Sequence, residues 1–173
     1  MLRLSLRATL LLLPLLLLAC VATPRIEQAD ASAPAFPVAS FFAGRTEGKG
    51  VLKVVMRGPR AIRVKSRGRT DPDGTLIVDQ VIHEEGKPAR ARSWRLREVA
   101  PGRYAGTLSD AAGPVTGEAA GNRLHLRFAM SGGMAADQWL TLAPDGRSAR
   151  NVLRVRKFGL PVAALEETIR KLD

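Results

Sequence analysis

Ile62-Arg63-Val64-Lys65-Ser66-Arg67-Gly68-Arg69 alternates at every step. A strand sends successive side chains to opposite faces. One face of this segment therefore carries Arg63, Lys65, Arg67 and Arg69, and the other carries Ile62, Val64 and Ser66. Asp71-Pro72-Asp73-Gly74 follows and is a turn by composition. Working outward, Val51 to Met56 is short and rich in β-formers, and Leu76 to His83 reads as a strand with two mixed faces. Glu85-Gly86-Lys87-Pro88 turns the chain again, and Ala89 to Val99 alternates. Tyr104 to Leu108 follows Pro101-Gly102. Past Gly121-Asn122, Leu124, Leu126, Phe128 and Met130 share one face. Gln138 to Leu142, a turn at Pro144-Asp145-Gly146, and Asn151 to Lys157 complete the set.

About nine short strands, with a turn every 8–12 residues or so, predict an all-β antiparallel meander closed as a barrel or sandwich. After Pro161 the pattern changes. Leu165, Ile169 and Leu172 recur at helical spacing, which predicts a short C-terminal amphipathic helix packed on the barrel as a lid or side element.

The start of the chain supplies an address. Arg3 and Arg7 precede an apolar run from Leu10 to Ala19, and the run ends at Cys20, the single cysteine. Charged start, apolar core and small residue make a secretory signal. Leu17-Leu18-Ala19-Cys20 resembles the bacterial lipobox, in which the cysteine thiol is diacylated and becomes the first mature residue. The run is shorter than the roughly 20 residues that span a bilayer, and Pro14 interrupts it. The expected organisation is a signal peptide over 1–19, a lipidated flexible tether over 20–40 rich in Pro and Ala, and a barrel domain over 41–173. Val21 is not the Asp that commonly marks inner-membrane retention, so the expected place is the periplasmic face of the outer membrane.

Removing residues 1–19 takes away two arginines and no acid, leaving 25 basic against 16 acidic side chains, a net charge of +9. In the cytoplasm such a charge would point to nucleic acid. In the envelope the partners are anionic lipid head groups, lipopolysaccharide or glycan. With no cysteine beyond Cys20, the domain holds together by its core and without a disulfide.

Motifs for chemistry are sparse. Gly48-Lys49 fails the phosphate-loop pattern, because Ala43 stands at the first glycine position and Gly50 at the hydroxyl position. The glycines Gly44, Gly48 and Gly50 are expected to let the chain bend into the first strand. His83 and His125 stand in different segments, and no metal or other cofactor is expected. No Gly-x-Ser-x-Gly occurs. Asp79, Glu84, Asp110, Glu118 and Asp137 are the candidates for a catalytic carboxylate pair, nothing in the sequence ranks them, and the chain is expected not to be an enzyme.

Two constellations remain. Arg92 and Trp94 share a strand face and, with Trp139, would suit a ligand with an acidic head and an apolar body. They could equally be a structural plug of the barrel floor. The row Arg63, Lys65, Arg67 and Arg69, with Arg154 and Arg156 as an extension, would suit an anionic surface. It could also be a solvated face that discourages edge pairing.

Several clusters carry a family resemblance. They are Phe41-Phe42-x-Gly44 with Gly48 and Gly50, Arg92-x-Trp94, Tyr104-x-Gly106 and Gly117-x-Ala119. Gly121-Asn122-x-Leu124, Asp137-x-Trp139-x-Leu140, Asn151 and Lys157-Phe158-Gly159 continue the set. Over Phe41 to Gly159 the chain resembles a lipocalin-like bacterial lipoprotein family, domain of unknown function 3833. The resemblance implies a calycin-type barrel on an exported, usually lipidated chain, and no assigned activity. Where that family usually shows two acids before the tryptophan, this chain reads Asp137-Gln138-Trp139.

The expectation from sequence is a non-catalytic, membrane-anchored binding module that takes an apolar or amphipathic ligand in its barrel. The alternative is a filled barrel that docks through its basic face.

Overall fold

In the computed structural model, which describes residues 23–173, antiparallel strands close into a single barrel. The strands are β1 (Gly44–Val54), β2 (Arg60–Thr70), β3 (Leu76–Glu84), β4 (Arg90–Ala100) and β5 (Arg103–Leu108). They continue as β6 (Ala111–Ala120), β7 (Arg123–Met130), β8 (Met134–Leu142), β9 (Ser148–Lys157) and β10 (Leu160–Lys171). Each pairs with its neighbour in sequence, and β1 pairs with β10 to complete the ring. The signal peptide and Cys20 lie outside the described residues.

Ten strands replace the expected nine, because the C-terminal segment is a strand and not a helix. Leu165 and Ile169 fit either period. The inward row of β10 is Ala163, Leu165, Glu167 and Ile169, and the acid in that row hides the alternation. Pairing decides the matter: Thr46 to Val54 and Ser148 to Lys157 both find backbone partners on β10. A helix there would leave two open sheet edges.

The strands present apolar side chains inward and charged ones outward. Leu124, Leu126 and Phe128 point into the core as the alternation of β7 predicts. Arg63, Lys65, Arg67 and Arg69 are all exposed on the outer wall of β2. This is the inverse of a membrane-spanning barrel, whose outward band is apolar.

The two barrel ends differ. At the end where β1 begins, a single helical turn, α1 (Val38–Phe42), closes the opening. Phe36, Val38 and Phe41 are buried in the main core, and Phe36 donates its backbone N–H to Gly121 O at 2.9 Å. Phe41 sits edge-on to Phe36 and Phe42, with ring centroids 5.2 and 5.0 Å away. The folded part thus begins at Phe36, ahead of the expected Phe41. At the other end, Ile62, Val64, Ile82 and Leu165 form a separate apolar cluster with Leu52 and Leu153.

From Pro24 onward the segment read as a tether lies along the outside of the barrel. Arg154 donates to Pro24 O, Arg150 to Arg25 O at 3.0 Å and Arg123 to Glu27 O at 2.8 Å. Asp30 N–H then donates to Asn122 Oδ1 at 3.0 Å, next to the plugged end.

Candidate functional site

Between the plug and the far apolar cluster, the lumen contains a group of polar side chains. Strand parity places Gln80 on β3 and Arg92 on β4 in register, with Ser66 opposite Gln80 on β2. Gln80 is the hub. Its Oε1 accepts from Arg92 Nε at 2.7 Å and from Trp94 Nε1 at 2.9 Å, and its Nε2 donates to Ser66 Oγ at 3.0 Å. The Arg92 guanidinium also lies over the Trp94 ring, 5.4 Å from its centroid. Trp94 is buried, edge-on to Phe128 at 5.5 Å.

A second polar group stands on β9 and β10. Asn151 Nδ2 donates to Glu167 Oε2 at 2.8 Å, and both residues are buried. Glu167 occupies space that β1 leaves open: a Cβ at Gly48 would stand 1.8 Å from Glu167 Oε1. That is the physical account of the glycine at this position. Gly48 has no side chain because the Glu167 carboxyl fills the place. Both groups, with Gln138 from β8, line a cavity of about 40 Å³ whose other walls are Phe42, Leu76, Leu96, Leu124, Leu140 and Ile169. The volume suits a few waters or one small head group.

The electrostatics of this cavity are unspent. Burial pushes the Arg92 guanidinium below its ordinary range, with the charge of Asp110 pulling the other way. Burial raises the Glu167 carboxyl, opposed by the Asn151 hydrogen bond and the Arg92 charge. Among the described residues Arg92 and Glu167 form no ion pair. Thr46 Oγ1, Asn151 Oδ1 and Glu167 Oε1 are buried without a partner from the protein. Buried polar atoms left in this way are rare and mark places that need explanation.

Arg92 and Trp94, expected on one strand face, stand together in the lumen, and Trp139 does not join them. On β8 the inward residues are Ala136, Gln138, Leu140 and Leu142, so Trp139 faces outward and belongs to no lumen site. It stacks on His125 at 4.6 Å with Arg154 on its ring at 5.6 Å. His125 Nε2 is 3.0 Å from Asp137 Oδ1, and Asp137 also pairs with Arg156. Arg154 and Arg156 are spent on Pro24 and Asp137, and β1 and β10 separate them from β2, so they do not extend the basic row. The row itself is partly neutralised. Arg69 pairs with Asp79 at 2.9 Å, and Arg63 lies 3.7 Å from Glu47.

Asn151 and Glu167 were missed as lumen residues. The signal for Glu167 was its place in the two-residue repeat of Leu165 and Ile169. Among the described residues no group of three or more His, Cys, Asp or Glu could hold a metal ion. The surface acids Asp79, Asp110, Glu118 and Asp137 each face arginines: Arg69, Arg90, Arg127 and Arg156 respectively. Glu84 pairs with Arg60 at 2.7 Å.

Comparison with curated protein sequences finds no significant match. Solved structures share the fold. One is a protein of unknown function from the DUF3598 family of Nostoc punctiforme PCC 73102, with a TM-score of 0.55 at 12% identity over 82% of this chain. The chain spans about half, 51%, of that protein. Another is an S-type phycobiliprotein lyase from Guillardia theta, with a TM-score of 0.60 at 10% identity, covering 87% of this chain and 99% of the lyase. At such identities the likeness establishes a lipocalin-like barrel and no chemistry. A family model matches residues 15–171, nearly the whole chain, and the chain belongs to the family described as protein of unknown function, DUF3833.

Proposed function

We propose that this protein is a lipid-anchored, non-catalytic binding module on the periplasmic face of the outer membrane, and that its barrel takes an amphipathic ligand with an acidic head. One observation carries the reading. Arg92 spends only Nε on Gln80 among the described hydrogen bonds, and it shares a small apolar-walled cavity with the unpartnered Asn151 Oδ1 and Glu167 Oε1. A carboxylate or similar head would take the terminal guanidinium nitrogens in a paired, charge-assisted contact. A protonated Glu167 would donate to the same head, which suits the upward push that burial gives its carboxyl. The apolar body would extend toward the far end, against the partly buried Leu52 and Leu153.

Anchoring at Cys20 is supported by Leu17-Leu18-Ala19-Cys20, which resembles the lipobox.

The cavity volume of about 40 Å³ favours a second reading, a filled barrel that works through its outer surface. Native mass spectrometry of the full chain, released from membranes in mild detergent, separates the two. Under the first reading a lipid-like acid co-purifies at one per chain and is lost from Arg92→Gln. A chain that carries nothing sinks it in favour of the second.

A further inference from the structure

The far end of the barrel bears an exposed apolar tip that the lumen site does not use. Met56, in the turn between β1 and β2, is 95% exposed, and Phe158, between β9 and β10, is 88% exposed. Leu160 beside it is 64% exposed. The two hairpins are neighbours, because β1 pairs with β10 and Val55 N–H donates to Val162 O at 2.9 Å. Both tips are strained: Met56 and Phe158 have φ of 58° and 51°, the left-handed region that turns normally give to Gly, Asn or Asp. Large apolar side chains held at strained, solvent-facing positions point to a contact beyond the barrel.

Cations frame the tip. Lys53, Arg57 and Lys157 are exposed around it, with Lys157 Nζ 5.6 Å from the Phe158 ring. The N-terminal segment runs toward the same end. Asp30 is bound beside the plugged end, Arg25 by Arg150, and Pro24 by Arg154, which is nearer the far end of β9. Cys20 is four residues ahead of Pro24, a reach of at most about 14 Å.

We propose that the far end is a docking tip for an anionic lipid bilayer. Met56, Phe158 and Leu160 enter the interface, Lys53, Arg57 and Lys157 meet the head groups, and the N-terminal lipid inserts beside them. The direction of the chain rests on Cys20 being the anchor; the tip itself does not. The barrel then stands with its plug away from the membrane and its far apolar cluster toward the lipid. The polar–apolar–cationic arrangement is that of interfacial membrane anchors.

The test uses the chain from residue 20 with Cys20→Ser, which retains every described residue, in flotation with phosphatidylglycerol-containing and pure phosphatidylcholine vesicles. The expected result is salt-sensitive binding to the anionic vesicles only. Combined Met56→Ser, Phe158→Ser and Leu160→Ser should lower the bound fraction about tenfold, and reversing Arg63, Lys65, Arg67 and Arg69 should change it less than about twofold. Binding that survives the tip substitutions, or is lost with the β2 row, overturns the proposal, as does no binding at all. In the acylated chain, a fluorophore on Phe158→Cys should be quenched by brominated lipid and one on Asp73→Cys, at the plugged end, should not; equal quenching overturns the orientation. Absence of fatty acid on Cys20 with flotation intact would sink the anchoring reading and leave the tip.

Discussion

The two ends of this barrel solve the same geometric problem in opposite ways. At the plugged end, α1 buries Phe36, Val38 and Phe41 against the core and ties itself to the β6–β7 turn through Gly121. At the far end, aliphatic side chains close the lumen from within, while the hairpin tips push Met56 and Phe158 out into solvent. An apolar residue at the first end stabilises the fold. At the second end the inner aliphatic cluster does the same, whereas the exposed Met56 and Phe158 strain their backbone. The difference teaches that apolar content alone does not identify a core.

The largest expected effect breaks the plug. Phe41→Ala removes a ring that is 2% exposed and should destabilise the protein by about 3–5 kcal/mol in urea unfolding. The matching change at the far end, Phe158→Asn, should instead stabilise by about 0.5–1 kcal/mol, because Asn accepts the left-handed turn. If both changes destabilise alike, the contrast between the ends is wrong.

Next comes the junction of glycine and acid. Gly48→Ala drives a methyl into Glu167 Oε1 and should cost about 1–3 kcal/mol. The same change in a Glu167→Ser background should cost clearly less, read from the two unfolding midpoints.

A further effect concerns pH. Burial raises the Glu167 carboxyl above its ordinary 4.5, so the folded state retains a proton that the unfolded chain has released. Stability at this site is therefore full below pH 4.5 and falls as pH rises through the window up to the folded value. Glu167→Gln should flatten that fall and gain about 1 kcal/mol at neutral pH. A chain whose pH dependence is unchanged by Glu167→Gln would show that the carboxyl is not buried uncharged.

Much of this was legible from period two alone. The basic row of β2, the inward face of β7 and the Arg92–Trp94 pair all stand where alternation puts them. What failed did so where polarity and facing disagree. Gln138 is inside and Trp139 outside, the reverse of what their hydrophobicity suggests. Glu167 inside β10 broke an apolar row, and the helical spacing of Leu165 and Ile169 then prevailed. Each of these exceptions involves the lumen cavity or the outer wall that carries the N-terminal segment. Buried polar groups cannot be assigned from one strand, because the partners that make their burial tolerable come from others. The strain at Met56 and Phe158 is equally silent in sequence, since φ is set by the turn and not by the residue.

The central claim is that the barrel seats an acidic head on Arg92. Calorimetric titration of the full chain with dodecanoate and with dodecanol tests it most directly. The account predicts one site for dodecanoate, at least about tenfold weaker binding of the alcohol, and loss of that preference in Arg92→Gln. Equal affinity for acid and alcohol, or a preference that survives Arg92→Gln, would contradict it.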